Sequence, residues 1–306
     1  MKIALASDLH LEFQSITLPN TENAKVLILS GDILIANDLH QHPHPVQSPD
    51  SDVRWKPSAG QLRAMRFREF LNHVNLEYEN TIYIPGNHEF YHANFPDAIG
   101  WLRKETSKFS NIHFLENSQI TIDDVVFVGG TLWTDMNRSN PLTMQMIQGQ
   151  MNDFQIIRNS DHNYRKFLPV DTVKEHHKTL NYFKSVIDDD DDADPTQTYV
   201  VVGHHLPSEQ SVHAMYKTDF HMNGGYFSDL NEFIMARPQI KLWTCGHTHH
   251  SHRYYMGDTL VACNPRGYAG SEKSADNFKL KYIDLNALPD KALVGADYAW
   301  ENTSQG

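Results

Sequence analysis

Aspartate, asparagine and histidine recur in this chain at one kind of place, just past a short run of β-branched or aliphatic residues that closes on a small one. IALAS leads to Asp8 and His10, VLILSG to Asp32, IYIPG to Asn87 and His88, YVVVG to His204, and KLWTCG to His247 and His249. Carboxylate and imidazole without thiolate suit Mn, Fe, Zn, Co or Ni better than an iron–sulfur or soft-metal centre. In extended chain, residues i and i+2 point the same way, so Asp8 with His10 and His247 with His249 read as two-toothed clamps on an ion. A catalytic zinc takes about three protein ligands and a water. The donors Asp8, His10, Asp32, Asn87, His204, His247 and His249 exceed that number, and argue for two divalent transition-metal ions, manganese first among them, sharing a bridging group. Asp32, as a carboxylate, is the natural bridge. Any one of these residues alone would pass for an ordinary strand-end polar group; five matching contexts and two clamps make that reading remote.

The elements that must position these groups follow from the pattern around them. Apolar runs of this length and composition read as buried strands, and in open α/β sheets ligands gather beyond the carboxyl ends of strands. Helical spacing over residues 62–78 sets Leu62, Met65, Phe70, Leu71 and Val74 on a core-facing side. Thr172 and Glu175 have the spacing of a capping box opening a helix through Ile187, and a further helix is expected from near Ser228 to before Pro238. Strands are expected at 253–256, 259–263 and 278–284, the first two forming a hairpin through Gly257 and Asp258. Residues 38–60, rich in Pro, Ser, Asp and His, form the main irregular insertion and suit a lid or partner surface. Its His40, His42 and His44 read as solvated or adventitious binders, as do His176, His177, His250 and His252. The aspartates at 188–192 read as a solvated loop, since consecutive aspartates lack the spacing of a calcium loop.

With 306 residues and motifs running from end to end, one domain over 1–286 and a C-terminal tail over 287–306 are expected. The first strand begins at residue 2, which leaves no room for a signal peptide, and no apolar segment approaches the ~20 residues that cross a bilayer. The expected location is cytoplasmic. Cys245 and Cys263 then read as buried free thiols. A formal net charge of −12 and the lack of a basic stripe argue against extended nucleic acid as a partner. Metal ions supply local positive charge, so a small phosphorylated substrate stays compatible.

The ordered motifs D-x-H (Asp8, His10), G-D (Gly31, Asp32), G-N-H-E (Gly86 to Glu89), G-H (Gly203, His204) and G-H-x-H (Gly246 to His249) resemble the calcineurin-like metallophosphoesterases over residues 3 to about 268. The resemblance implies an α/β four-layer αββα sandwich, two mixed β-sheets face to face with helices outside. It implies Asp8, His10, Asp32 and His249 on one metal, and Asp32, Asn87, His204 and His247 on the other. His88 is then free to act on the substrate, protonating the leaving oxygen or stabilising the transition state, with Glu89 holding its imidazole in the right tautomer. The implied reaction is metal-assisted hydrolysis of small phosphodiesters or phosphomonoesters, nucleotides included. Phrases at 130–135, 151–154, 204–208 and 264–268 are similar to a bacterial and phage-borne branch. The D-R-G that follows G-D in the family's serine/threonine protein phosphatases is absent, which makes that activity less expected. A catalytically silent scaffold of this fold, as in the family's retromer subunit, would be expected to lose ligands or the histidine of G-N-H; this chain keeps them.

Two residues beyond the motifs are further candidates for substrate contact. His205, next to His204, either orients a neighbouring ligand or touches substrate, against an equal reading as a satisfied buried histidine. Arg266, in Asn264-Pro265-Arg266-Gly267-Tyr268, carries a guanidinium fork that suits phosphate oxygens. It is expected to position substrate or the 133–135 loop, the alternative being a turn residue facing water.

Overall fold

The apolar runs ahead of the candidate ligands are strands, and nearly every residue in them is buried. Burial on both faces is why they read as continuous apolar runs rather than alternating ones. The computed structural model describes residues 1–43, 56–188, 197–289 and 291. In chain order the strands are β1 (Lys2–Ala6), β2 (Val26–Ser30), β3 (Asn80–Ile84), β4 (Ile112–Phe114), β5 (Ser118–Ile122), β6 (Val125–Gly129), the short β7 (Arg158–Asn159) and β8 (Arg165–Lys166), β9 (Thr198–Val202), β10 (Ile240–Cys245), β11 (His252–Met256), β12 (Thr259–Cys263) and β13 (Lys281–Asp284).

One sheet has the order β13-β1-β2-β3-β4, parallel except for β13 at its edge. The other runs β11-β12-β10-β9-β6-β5, parallel in its four central strands and antiparallel at both edges. Alternate residues divide three apolar layers. Ile3, Leu5, Ile28 and Ile82 meet Phe127, Val200, Leu242 and Leu260 between the sheets. Ala4, Leu27 and Tyr83 pack outward with Phe67, Phe70, Leu71 and Leu102 of the helices Ala59–Glu77 and Phe95–Thr106. Val128, Val201, Trp243 and Cys263 pack outward with Phe183 and Ile187 of the helix Pro169–Asp188. The molecule is thus an α/β sandwich of two mixed sheets flanked by helices.

Several local expectations shift. The first long helix starts at Ala59 under a capping box made by Ser58 and Gln61, and buries Ala64, Phe67, Phe70, Leu71 and Val74. Phe70, Leu71 and Val74 are buried as expected, but in the first turns Ala64 and Phe67 face the sheet, which leaves Leu62 exposed and Met65 only half-buried. Thr172 lies inside its helix, whose first residue is Pro169, a ring pre-set for a helix start. The Thr172 hydroxyl bonds back to the Pro169 carbonyl instead of capping. The helix expected near Ser228 is the short Asn231–Met235, and β13 opens at Lys281 rather than 278. Of the 38–60 insertion, residues through Gln41 continue the helix Ala36–Gln41; His44 lies outside the described residues. Asp188 ends its helix in an ion pair with Arg237, while 189–192 lie outside the description. Among the described residues, no helix is long and apolar enough to cross a membrane.

Candidate metal centre

Parallel strands deliver their carboxyl ends to one edge of the sandwich. The loops after β1, β2 and β3 come from one sheet and those after β9 and β10 from the other, so the five motifs meet where the two sheets abut. They do not arrive as extended clamps. Asp8, His10, Asp32, His247 and His249 all have positive φ, between 45° and 70°, a region few non-glycine residues enter. The backbone therefore twists at each of these residues, and the two histidines of the fifth motif part company. Gly31 (φ 84°) and Gly86 fill the crossing point of the β2 and β3 loops; a Cβ on Gly31 would come within 2.5 Å of His204 Nδ1, and one on Gly86 would strike the Asp32 carboxylate.

Two donor clusters result. Asp8, His10 and His249 bring ligand atoms within 4.8 Å of one another, and so do Asp32, His204 and His247. In the first, His10 Nδ1 faces Glu12 at 3.1 Å and His249 Nδ1 faces Glu272 at 2.8 Å. A carboxylate accepts, so each Nδ1 carries the hydrogen and each Nε2 presents a lone pair; the two Nε2 atoms lie 2.9 Å apart. Asp8 Oδ1 stands 3.6 Å from His249 Nε2, and Asp8 Oδ2 is buried without a hydrogen-bond partner among the described residues. Lone pairs and carboxylate converging in this way repel one another and fit a cation. Imidazoles oriented by carboxylates behind them are the usual supports of a metal site.

In the second cluster His204 Nδ1 bonds the Ser30 carbonyl at 2.8 Å, leaving Nε2 towards Asp32 Oδ2 at 3.4 Å. Asn87 Oδ1 is shared by His204 Nε2 at 3.2 Å and His247 Nδ1 at 3.1 Å. Asp32 Oδ2 also lies 3.9 Å from His10 Nε2, so this carboxylate stands between the clusters. Burial holds His10 and His247 below the ordinary histidine range, as neutral ligands require. His204 differs: burial opposes its charge, but Asp32 raises its pKa to about 10, so a cation arriving there displaces a proton.

His88 lies beside both clusters, with its backbone N–H on Asp32 Oδ1 at 2.8 Å. Its tautomer partner is Glu12, whose Oε1 is 2.9 Å from His88 Nδ1. Burial disfavours charge on His88, yet Asp32 and Glu12 lift its pKa to about 9. Burial likewise opposes the Glu12 charge, but hydrogen bonds from His10 and His88 pull it down to about 2. Glu89, expected in that role, is turned away by the 3-10 turn His88–Phe90. Its buried carboxylate accepts from the backbone of Asp32, Ile33, Leu34 and Gly86 and from the Tyr83 hydroxyl, tying the β2 and β3 loops together. Glu12 was findable: it extends the alternation of Asp8 and His10 by one step.

The donor clusters open into a cavity of about 830 Å³, lined by Asp32, Asn87, His88, His247 and His249 together with Tyr91, Met151, Met215, Tyr216, Met222, Tyr226 and Tyr268. Asp153, Asp219 and Glu272 add negative charge, and no lysine or arginine lines it among the described residues. His205 and Arg266 are not in its wall, which corrects both as substrate contacts. His205 is buried, bonds the Thr131 carbonyl at 3.3 Å and packs on Trp133 and on the His247 ring, so it is a satisfied core histidine behind His247. Arg266 is only 4% exposed, so the water-facing turn fails as well. The parallel β10–β12 register returns its strand to the fifth motif, where its guanidinium binds the carbonyls of Leu9 (3.1 Å) and Gln14 (3.0 Å) and holds the loop of His10 and Glu12.

Comparison with known proteins agrees with this geometry. A curated relative, uncharacterized protein L509 of Acanthamoeba polyphaga mimivirus, is 25% identical over 233 residues, 72% of this chain and 79% of that protein. In fold, the chain is similar to a phosphopantetheinyl hydrolase of Mycobacterium tuberculosis, with a TM-score of 0.61 at 14% identity, covering 96% of this chain and 98% of that one. A dimetal phosphatase of Danio rerio is similar at a TM-score of 0.50 and 11% identity, covering 86% of each chain. The family model described as calcineurin-like phosphoesterase matches residues 1–251. A chain matched over that span, with its donors gathered at the strand ends, belongs to the calcineurin-like phosphoesterases, a family of metal-dependent phosphoester hydrolases with a binuclear divalent-metal site.

Proposed function

We propose that the protein hydrolyses small esters carrying a single phosphoryl group and an aromatic or heteroaromatic substituent, monoesters or diesters, nucleotides and cyclic nucleotides included. The observation that carries this reading is the pairing of two convergent donor clusters with a Tyr- and Met-lined cavity that has no lysine or arginine among the described residues. Asp8, His10, Asp32 and His249 would hold one ion, and Asp32, Asn87, His204 and His247 the other, with manganese the first choice. When bound, the ions supply the positive charge that draws in a phosphoryl group and the acidity that activates water. With no lysine or arginine in the wall among the described residues, that charge and His88 are what a substrate phosphate meets. Triphosphates and phosphate polymers, whose extra charges would face Asp153, Asp219 and Glu272, are accordingly poor substrates.

His88 supplies the proton. Glu12 fixes its Nδ1, so Nε2 is the atom that faces the cavity, 3.4 Å from the Tyr268 hydroxyl. In its protonated form it can donate to the departing oxygen, and the four tyrosines stack or cover the aromatic part. An activity panel with added Mn²⁺ tests the reading: a nitrophenyl monoester, a bis-nitrophenyl diester, cyclic nucleotides, a phosphopantetheinyl ester, ATP and short single-stranded DNA. Turnover confined to the small single-phosphoryl esters is the expected result. Protein that binds two ions and turns over none of them would return the chain to the silent-scaffold reading.

A further inference from the structure

Beside the carboxylate–imidazole centre, three neighbouring strands contribute one cross-strand row: His252 of β11 pairs with Cys263 of β12, and Cys263 with Cys245 of β10. Register-paired residues project from the same face of a sheet. One imidazole and two thiols therefore stand side by side on the outer face, in the apolar layer that includes Phe183, Trp243 and Tyr254. The cysteines are 0% exposed and His252 is 3% exposed. Their donor atoms lie within 4.8 Å of one another, with Cys245 Sγ 3.8 Å from His252 Nε2. Zinc–sulfur bonds of about 2.3 Å and zinc–nitrogen bonds of about 2.0–2.1 Å put two ligands of one ion roughly 3.6–3.8 Å apart at tetrahedral to trigonal angles.

The orientation of the imidazole adds an independent point. His252 Nδ1 lies 3.0 Å from the His250 carbonyl oxygen. A carbonyl can only accept, so Nδ1 carries the hydrogen and the Nε2 lone pair faces the sulfur. Metal-ligating histidines almost always donate their other ring nitrogen in this way.

We propose that Cys245, Cys263 and His252 form a third metal site, for a thiophilic d10 divalent ion of the zinc class. Binding releases the two thiol protons, and the two thiolates cancel the charge of the ion, so the buried unit is neutral. Three protein donors leave a fourth position for a water or small ligand. The site sorts ions differently from its neighbour, because thiolate selects soft metals while carboxylate with imidazole accepts Mn. Bound, the ion would pin the end of β10 to β12 and β11, two residues ahead of His247.

Cobalt distinguishes the two centres. The chain has two cysteines, both in this row, so a near-ultraviolet thiolate-to-Co²⁺ charge-transfer band can arise only here. Titrating the reduced full-length protein with Co²⁺ should give such a band, with a final intensity that corresponds to one thiolate-bound Co²⁺ per chain whatever the carboxylate–imidazole centre takes up, and Zn²⁺ should remove it. Cys245→Ser should abolish the band, and His252→Gln, which removes the imidazole donor, should weaken the site by at least about tenfold. Wild-type protein decides the question even if a variant fails to fold. No band in folded, reduced protein, or a Cys245–Cys263 disulfide recovered by mass spectrometry from the native protein, would overturn the site and leave an ordinary thiol–imidazole contact.

Discussion

Glu12 Oε1 lies 2.9 Å from Nδ1 of His88, and the same oxygen lies 3.1 Å from Nδ1 of His10. One carboxylate thus braces a candidate metal ligand and the candidate acid together. Glu12→Gln keeps the shape but removes the charge that helps raise the His88 pKa. If His88 must be protonated to act, the alkaline limb of kcat moves to lower pH in this variant. Metal affinity should fall about 10–100-fold, as for other residues behind a ligand. Profiles recorded at saturating Mn²⁺ separate the two effects, and a limb that stays in place would remove Glu12 from the proton chemistry.

Replacing His88 itself should separate chemistry from binding. His88→Asn is expected to lower kcat about 10²–10⁴-fold on an alkyl phosphoester, with metal content near wild type. On a nitrophenyl ester, whose leaving group needs little protonation, the loss should be much smaller. Equal losses on both esters, or lost metal, would show that His88 is not the acid.

The pH dependence of stability gives a check that needs no substrate. In chelator-treated protein the His88 pKa is raised from 6.5 to about 9. A raised folded-state pKa adds stability that is fully present below pH 6.5 and lost as pH rises through about 9, at most about 3 kcal/mol. Thermal melts of wild type and His88→Asn should therefore differ most in mildly acidic buffer and converge near pH 10. A gap that widens with pH would contradict the assigned ion pairing.

Asp32 stands between the two donor clusters, so its loss should disturb both. Asp32→Ala is expected to take manganese content from two ions per chain to one or none, with activity lost. Manganese is the right probe because a thiolate site disfavours it. Wild-type content that never exceeds one under saturation, with activity intact, would end the binuclear assignment.

Arg266 should matter more to folding than to substrate. Arg266→Ala leaves the Leu9 and Gln14 carbonyls without their charged donor, a loss of about 3 kcal/mol. Denaturant melts should show that loss, while KM for the best ester stays within about twofold. A large KM effect at unchanged stability would restore a substrate role.

What could be read from the sequence was whatever local order imposes. A run such as IALAS or YVVVG is buried on both faces and so is apolar at every position, and the turn that ends it is where a donor can stand; the five strand ends were legible for that reason. The hairpin at Gly257 and Asp258 was legible too, because Met256 and Thr259 pair across a two-residue turn. Relations between distant segments were not. Glu89 is next to His88 in the chain, yet one turn of 3-10 helix separates their side chains, while Glu12, 76 residues away, reaches the imidazole. The division of His247 from His249 goes with positive φ values at both residues, a backbone conformation that the spacing G-H-x-H does not reveal. Arg266 turned inward, and His252, Cys263 and Cys245 fell into one row, because β12 pairs parallel with β10 and antiparallel with β11. Composition and period specify which segments become buried strands, since burial of apolar side chains acts residue by residue. Which strands lie side by side, and in what register, is set by the packing of the whole core, and that alone decides which donors share an ion.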